Sequence, residues 1–298
     1  MVKDLDSFLH KAMVGMSFNT IAVAVVDFKT GSINALELEN KKIAKNIYFD
    51  LASLTKPLTL SATKLIYPEL FKKDLSFELL INHRASLPSG GRLSRDSWMD
   101  QILSYKIIPG ETLYSDYGAL RLMLELEKKA QKDLKSLCNS YWDRELLFWK
   151  DLPKDAHSPF SGFRSGEKIK GQVNDDNAFI IGKFCSHAGL FSTVSGLAKS
   201  LINLNEKHDL LTSILKVKFD GRFVDGWDSA SGENSLAGKG YGPGTFGHLG
   251  FTGTSMWIDP HMQKGQIILT NATQNYWYHR EGLNNLRRSV GEFLWKWI

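Results

Sequence analysis

Two residues three positions apart raise the first chemical question in this chain. In "FDLASLTKPLTL", residues 49–60, Ser53 precedes Lys56, and Pro57 follows the lysine directly. On a helix, residues i and i+3 are neighbours, so a lysine amine can reach the serine hydroxyl. Pro57 fits in or just after a first helical turn, where backbone N–H groups lack partners in any case. Ser53 then sits at a helix N-terminus, where the dipole and free N–H groups favour developing negative charge. That suits a nucleophile whose attack creates an oxyanion. Taken alone, the pair reads better as an N-cap serine with a solvated lysine, and the rest of the chain has to decide. "LYSDYGALRLM" places Tyr114 and Asp116 just before another helix, where a packed tyrosine and a cap at Ser115 or Asp116 would be enough. "TFGHLGFTGTSMWIDP" puts His248 and Leu249 beside Gly250 and Phe251 where a strand begins, which is equally a glycine-rich turn with an incidental histidine.

The elements that must position these residues lie at both ends of the chain. Leu5, Phe8, Leu9, Ala12 and Met13 recur at helical spacing over residues 3–16. "TIAVAVVDF" reads as a buried strand, "KTGS" as a turn and "INALELE" as a second strand. Strands return in "GFTGTSMWIDP" and "GQIILTNAT", flanking a turn at "HMQKG". A closing helix carries Leu283, Leu286, Val290, Phe293 and Leu294 on one stripe, and Trp295 and Trp297 are read as packing onto the sheet. Between the ends lie helical stretches such as "YGALRLMLELEKKAQKDL" and loops such as "FSGFRSGEKIKG". The expected fold is therefore α/β: one antiparallel sheet built from both ends and flanked by the terminal helices, with an inserted, mostly helical domain. The boundaries this gives are 1–60 with 241–298 for the sandwich and 61–240 for the insertion.

Composition excludes several classes. Of 298 residues, 43% are apolar and 23% charged, which is enough for a sizeable core. The net charge of +5 is scattered, and the densest run, "EKKAQKDLK", mixes both signs. A solvated helix face fits it better than a nucleic-acid stripe, so no nucleic-acid partner is expected. Cys138 and Cys185 have no metal-ligand spacing and are read as reduced thiols, and no histidine pair suggests zinc. No apolar run is long enough to cross a bilayer, and the first residues lack a signal-peptide core. As it stands the chain is expected in the cytoplasm; were it trimmed of a leader, it would belong in the periplasm. It is expected to be a monomer.

"ASLTK", "YSD" and "HLG", in this order, resemble the motifs of the serine β-lactamase and penicillin-binding-protein superfamily: Ser-x-x-Lys, Tyr-x-Asn or Tyr-Ser-Asp, and Lys- or His-x-Gly. The chain is most similar to the class C-type branch, which includes D-alanyl-D-alanine peptidases, class C β-lactamases and related esterases. "LLINHRASLPSG", "GQVNDDNAF", "SHAGLFSTVSGLA" and "IILTN" extend the resemblance over nearly the whole chain. It implies the β-lactamase/transpeptidase-like fold, with the active site in the cleft between sandwich and insertion. It also implies a serine hydrolase, without cofactor or metal, acting through an acyl-enzyme on a small ester or a D-amino-acid peptide. Ser53 is then the nucleophile, Lys56 its activator, and Tyr114 the proton shuttle at the leaving group and in deacylation. The oxyanion would lie between the N–H groups of Ser53 and Phe251. Asp116 would contact substrate, His248 would form a polar wall able to carry a positive charge, and Gly250 would let the substrate backbone lie along the strand edge.

Three positions depart from the pattern. Leu249 stands where the family has a threonine that helps hold a substrate carboxylate, Asp116 replaces the asparagine of true lactamases, and Asn174 stands where close relatives show histidine. The first implies poor β-lactam and D-Ala-D-Ala recognition. The alternatives are a weak β-lactamase or penicillin-binding protein, or an inactive binding module that keeps the cleft. Ser53, Lys56 and Tyr114 present together favour the enzyme.

Overall fold

The computed structural model of the chain describes residues 2–218, 221–275 and 280–297. Its largest sheet has eight strands, in the order Lys42–Ala44, Ser32–Glu39, Thr20–Asp27, Lys264–Thr270, Ser255–Asp259, Phe246–Leu249, Trp227–Ser229 and Phe223–Val224. All neighbours are antiparallel, and Val23 lies opposite both Leu36 and Ile268. Strand side chains alternate between faces, and here both faces are covered, so the central strand reads as an unbroken apolar run. Ile21, Val23 and Val25 point to one face, where they meet Leu5 and Leu9 of the helix Val2–Ala12 and Leu283, Leu286 and Val290 of the helix Arg280–Trp297. Ala22, Ala24 and Val26 point to the other, against Leu54, Leu58 and the helix Val194–His208. The antiparallel α/β architecture is the one expected.

The sequence boundary at residue 240 needs correction. Phe223–Val224 and Trp227–Ser229 hydrogen-bond into the large sheet, and the helix Val194–His208 packs on its inner face. Both lie within 61–240. The two short strands are joined by a tight turn in which Asp225 and Gly226 both take left-handed φ values, 49° and 81°. That is the Asp-Gly signature of a two-residue hairpin. Strands of two and three residues leave no readable alternation, so the dipeptide "DG" was their only signal.

A second core belongs to the middle of the chain. Phe77 and Leu80 of the helix Leu75–Ile81 pack with Leu120, Leu122 and Met123 of the helix Asp116–Ala130, and with Val173, Ile181 and Phe191. The cores meet at a three-stranded sheet in the order Phe49–Asp50, Leu190–Ser192, Leu146–Phe148. Leu190 belongs to the first core and Phe191 to the second. Ser53 follows directly on the edge of this junction. Cys138 and Cys185 are buried free thiols.

Candidate active site

The segment after Phe49–Asp50 enters one helical run in three pitches: 3₁₀ over Ala52–Leu54, π over Pro57–Ser61 and α over Ala62–Ile66. In a 3₁₀ turn residues i and i+3 eclipse, which stacks Lys56 over Ser53. Lys56 Nζ donates to Ser53 Oγ at 3.1 Å. Pro57 begins the π turn, and the Thr59 hydroxyl donates to Thr55 O at 2.8 Å. Ala52 has φ 47°, a left-handed conformation that costs a non-glycine residue roughly 1–2 kcal/mol. Its N–H is held by Asp50 Oδ1 at 2.8 Å.

Lys56 is 3% exposed and surrounded by acceptors. Besides Ser53 Oγ it meets Asp116 Oδ1 at 2.6 Å and His187 O at 3.1 Å, and its Nζ lies 4.8 Å from the centre of the Tyr114 ring. Nζ donates to Ser53 Oγ and His187 O, and the Asp116 carboxylate faces it as an ion pair. Burial works against that charge, but the Asp116 carboxylate, followed by Tyr114, more than offsets it and holds the Lys56 pKa above its ordinary value.

Ser115 caps the helix Asp116–Ala130: its Oγ accepts from Gly118 N–H at 2.8 Å and donates to Pro88 O at 2.5 Å. That leaves the Asp116 carboxylate to face Lys56 rather than the helix end. The Ser115 N–H donates to His83 Nδ1 at 3.1 Å, which fixes His83 as the neutral Nε2–H tautomer. The Tyr114 ring packs beside His83, Phe223 and His248, with centroids at 4.7, 5.9 and 6.0 Å. Its buried hydroxyl makes no hydrogen bond of ordinary geometry among the described residues and lies close to Lys56 and Ser53. Burial raises its pKa, while the Lys56 charge pulls the other way.

The opposite wall departs from expectation. His248 is buried behind Tyr114 and donates from Nδ1 to Leu249 O at 2.8 Å. Burial, and then the Lys56 charge, push its pKa down to about 3, so it is a neutral ring and not a cationic wall. Leu249 points to the other side of its strand, onto the cluster of Ala237, Trp257 and Trp295, and does not line the cleft. The expected substitution of an isobutyl group for a carboxylate-binding hydroxyl is therefore not realised in space. Gly250 is a close approach of backbones: a Cβ there would lie 2.6 Å from Leu51 O and 1.9 Å from Thr254 Oγ1. Its role is packing against the segment before Ser53 rather than opening a strand edge. Phe251 is 58% exposed and lines the cleft. Its turn is tied to the nucleophile segment by Thr252 Oγ1, which donates to Asp50 O at 2.7 Å, and Thr254 Oγ1, which donates to Leu51 O at 3.0 Å.

Sequence reasoning missed two supports. Arg287, 5% exposed, reaches in from the closing helix and donates from Nη2 to Gly250 O and Thr254 O, both at 2.8 Å. An arginine in the same apolar stripe as Leu283, Val290 and Leu294 was the available signal. The second is Asp175 with His187, from the phrases "GQVNDDNAF" and "SHAGLFSTVSGLA". Asp175 Oδ1 caps the helix Asp176–Ile181 through Ala178 N–H at 2.7 Å and pairs with His187 Nε2 at 3.0 Å. Burial works against the imidazolium, yet Cys185 and Asp175 together hold the His187 pKa well above its ordinary value. Burial likewise opposes ionised Asp175, and the His187 charge brings its pKa well below the usual carboxylate range.

These elements enclose a cleft of about 910 Å³ whose lining includes Ser53, Tyr114, Asp116, Asn174, His187 and Phe251. Of the residues singled out in the sequence, the structure brings Ser53, Lys56, Tyr114, Asp116 and Phe251 together. His248, Leu249 and Gly250 lie behind or beside them.

A serine and a buried lysine one turn apart, a tyrosine beside both, and a sheet flanked by terminal helices are the marks of one class of protein. The family described as beta-lactamase matches residues 71–288, and the chain belongs to it. The match begins after Ser53 and Lys56. Solved structures agree on the fold. A beta-lactamase from Mycobacterium bovis is 16% identical, with 96% of this chain and 97% of that one covered and a TM-score of 0.61. A class C beta-lactamase mutant is 13% identical, with 100% and 97% covered and a TM-score of 0.68. An octameric penicillin-binding protein homologue from Pyrococcus abyssi is 16% identical, with 95% and 76% covered and a TM-score of 0.62. No curated protein sequence matches the chain. Among the described residues no helix is long and apolar enough to cross a membrane.

Proposed function

We propose that the cleft is the active site of a serine hydrolase that forms an acyl-enzyme on Ser53 from an ester or a D-amino-acid peptide. The observation that carries this is the position of Lys56 Nζ, 3.1 Å from Ser53 Oγ and 2.6 Å from Asp116 Oδ1, with the Tyr114 ring alongside. It also revises the roles expected from sequence. A lysine that donates to Ser53 Oγ and His187 O, and whose pKa is held up by its ion pair with Asp116, is a poor base. Lys56 is instead the fixed positive charge that orients Ser53 Oγ and supports a phenolate at Tyr114. Tyr114 takes the Ser53 proton as Oγ attacks the carbonyl carbon. The oxyanion is received by the N–H groups of Ser53 and Phe251, donors of a kind worth about 2.7–4 kcal/mol each. Tyr114 then returns the proton to the departing alcohol or amine, and water repeats the sequence at the acyl group.

Because Leu249 faces away from the cleft, it provides no ground for expecting weak acylation by penicillins. The test is intact-protein mass spectrometry after exposure to a fluorophosphonate and, separately, to a penicillin. Fluorophosphonate adds one phosphonyl group at Ser53 and none to Ser53→Ala. An unlabelled wild-type protein across pH 6–9 would leave the cleft a binding site. Persistence of the penicillin adduct separates a penicillin binder from a hydrolase that releases it.

A further inference from the structure

Asp50 lies three residues before Ser53 and is 5% exposed. Its two carboxylate oxygens serve two different segments. Oδ1 accepts from Ala52 N–H at 2.8 Å, and Oδ2 accepts from Asn174 N–H at 2.6 Å. Its main-chain carbonyl accepts from Thr252 Oγ1 at 2.7 Å. One residue therefore joins the turn that carries Ser53, the loop that carries Asn174, and the turn that carries Phe251. The next residue of the loop closes a ring, because Asp175 holds His187 and the His187 carbonyl holds Lys56 Nζ.

We propose that ionised Asp50 is a positioning residue for Ser53: it locks the left-handed Ala52 turn to the 174–175 loop, and losing its charge slows acylation. The proposal rests on the reading of Ser53 as nucleophile. An ionised carboxylate accepts at both oxygens, whereas a neutral carboxyl carries a proton on one of them. Neutral Asp50 keeps one strong acceptor, while its hydroxyl oxygen accepts only weakly and carries a proton that needs a partner of its own, so one of the two N–H ties is weakened. Each segment is still anchored elsewhere, so the effect is loosened register rather than unfolding.

Burial pushes the Asp50 pKa up to about 7, against the pull of the Asn174 and Ala52 N–H groups. Of the charged groups around it, Asp175 of the loop adds to the rise and Arg164 of the strand Gly162–Arg164 opposes it. Its strand partner Phe191 and the turn residue Thr252 carry no charge. His248, at about 3, is neutral throughout, and His187 is held well above its ordinary value. As pH falls through about 7, Asp50 protonates and the two-segment tie is weakened.

The test compares Ser53 acylation rates with a fluorophosphonate in wild type and Asp50→Asn from pH 5.5 to 8.5. Asparagine removes the charge at every pH, keeping one acceptor oxygen and putting a donor NH2 in place of the other. The wild-type to variant rate ratio is the readout, because it cancels the shared pH dependence of Tyr114. The ratio is expected near 1 at pH 5.5 and about tenfold at pH 8.5, with its midpoint near 7. A ratio that does not change with pH, or that stays at 1, overturns the proposal. Hydrogen exchange of peptides covering 49–60 and 171–181, corrected for intrinsic rates, gives a second readout in the wild type alone. Both segments should be better protected at pH 8.5 than at pH 6, and equal protection at the two values also overturns it. If Ser53 takes no label at any pH, the hydrolase reading fails, while the exchange data still decide whether Asp50 ties the two segments.

Discussion

Asp116 stands where the family pattern allows asparagine, and its charge sets the proton balance of the cleft. With Asp116 ionised, Lys56 already has an anionic partner at 2.6 Å, so a Tyr114 phenolate adds a second anion to a single cation. Asp116→Asn removes that competition and leaves the phenolate paired with the ammonium. Asp116 Oδ1 and the centre of the Tyr114 ring lie 2.6 and 4.8 Å from the same Nζ, and a separation of about 6 Å between carboxylate and phenolate is taken for the Coulomb arithmetic. At an effective dielectric of about 20, their repulsion is roughly 2.8 kcal/mol. Asp116 is 30% exposed, so solvent screening leaves about half of this, or roughly one pKa unit. Burial holds the Tyr114 pKa above its ordinary value, so at neutral pH the rate follows the small phenolate fraction. Asp116→Asn is therefore expected to raise acylation by p-nitrophenyl acetate about tenfold at pH 7.5 and to move the ascending limb of the pH–rate profile down by about one unit. Stopped-flow release of p-nitrophenol measures both. A loss of tenfold or more at every pH would refute the reasoning and make Asp116 itself the proton acceptor. An unmoved limb would mean that Tyr114 does not titrate in the step observed.

The remaining predictions concern neighbouring residues. Lys56→Ala and Tyr114→Phe should each remove most ester turnover, with the double variant little worse than the poorer single, because the two act as one unit; multiplicative losses would separate them. Leu249→Thr should change the preference between a neutral ester and a carboxylate-bearing D-Ala-D-Ala peptide by less than about twofold, since the side chain faces Trp257, while costing about 1 kcal/mol of stability in chemical denaturation. Arg287→Met should lose two charge-assisted bonds to Gly250 O and Thr254 O, roughly 3 kcal/mol in all, and lower Tm by about 6 °C. Arg287→Lys, which can reach one carbonyl but not fork to both, should fall between.

Much of the frame could be read from the sequence because it rests on periodicity. The central strand, its hairpin partner and both terminal helices carry apolar spacing that burial on two faces demands. The Ser53–Lys56 contact was also legible, since any helical pitch puts i and i+3 on one side. What escaped depended on direction and distance. Leu249 and His248 are adjacent in a strand and must face opposite ways, so the motif alone could not place both in the cleft. The charge expected on His248 required knowing that it would be buried beside Lys56. Asp50, Asp175 and Arg287 act through backbone groups up to 124 residues away, as in the bond from Asn174 N–H to Asp50, and no local pattern encodes such a partner. The short strands around Asp225 and Gly226 were hidden because two residues have no period.

The pairing of the central strand has a consequence for the chain's synthesis. Thr20–Asp27 lies between Ser32–Glu39, which emerges at once, and Lys264–Thr270, with Ile21 opposite Thr270. At translation speeds of 5–20 residues per second, roughly 12–50 s separate the appearance of one edge from that of its partner. Through that interval "TIAVAVV" offers an apolar ladder with one side unpaired, and the turn of Phe251 and its brace Arg287 do not yet exist. A nascent chain of this protein is thus exposed to edge-to-edge association for most of its time on the ribosome. Shielding of the first hairpin over that interval therefore bears on how much of the chain reaches the folded state.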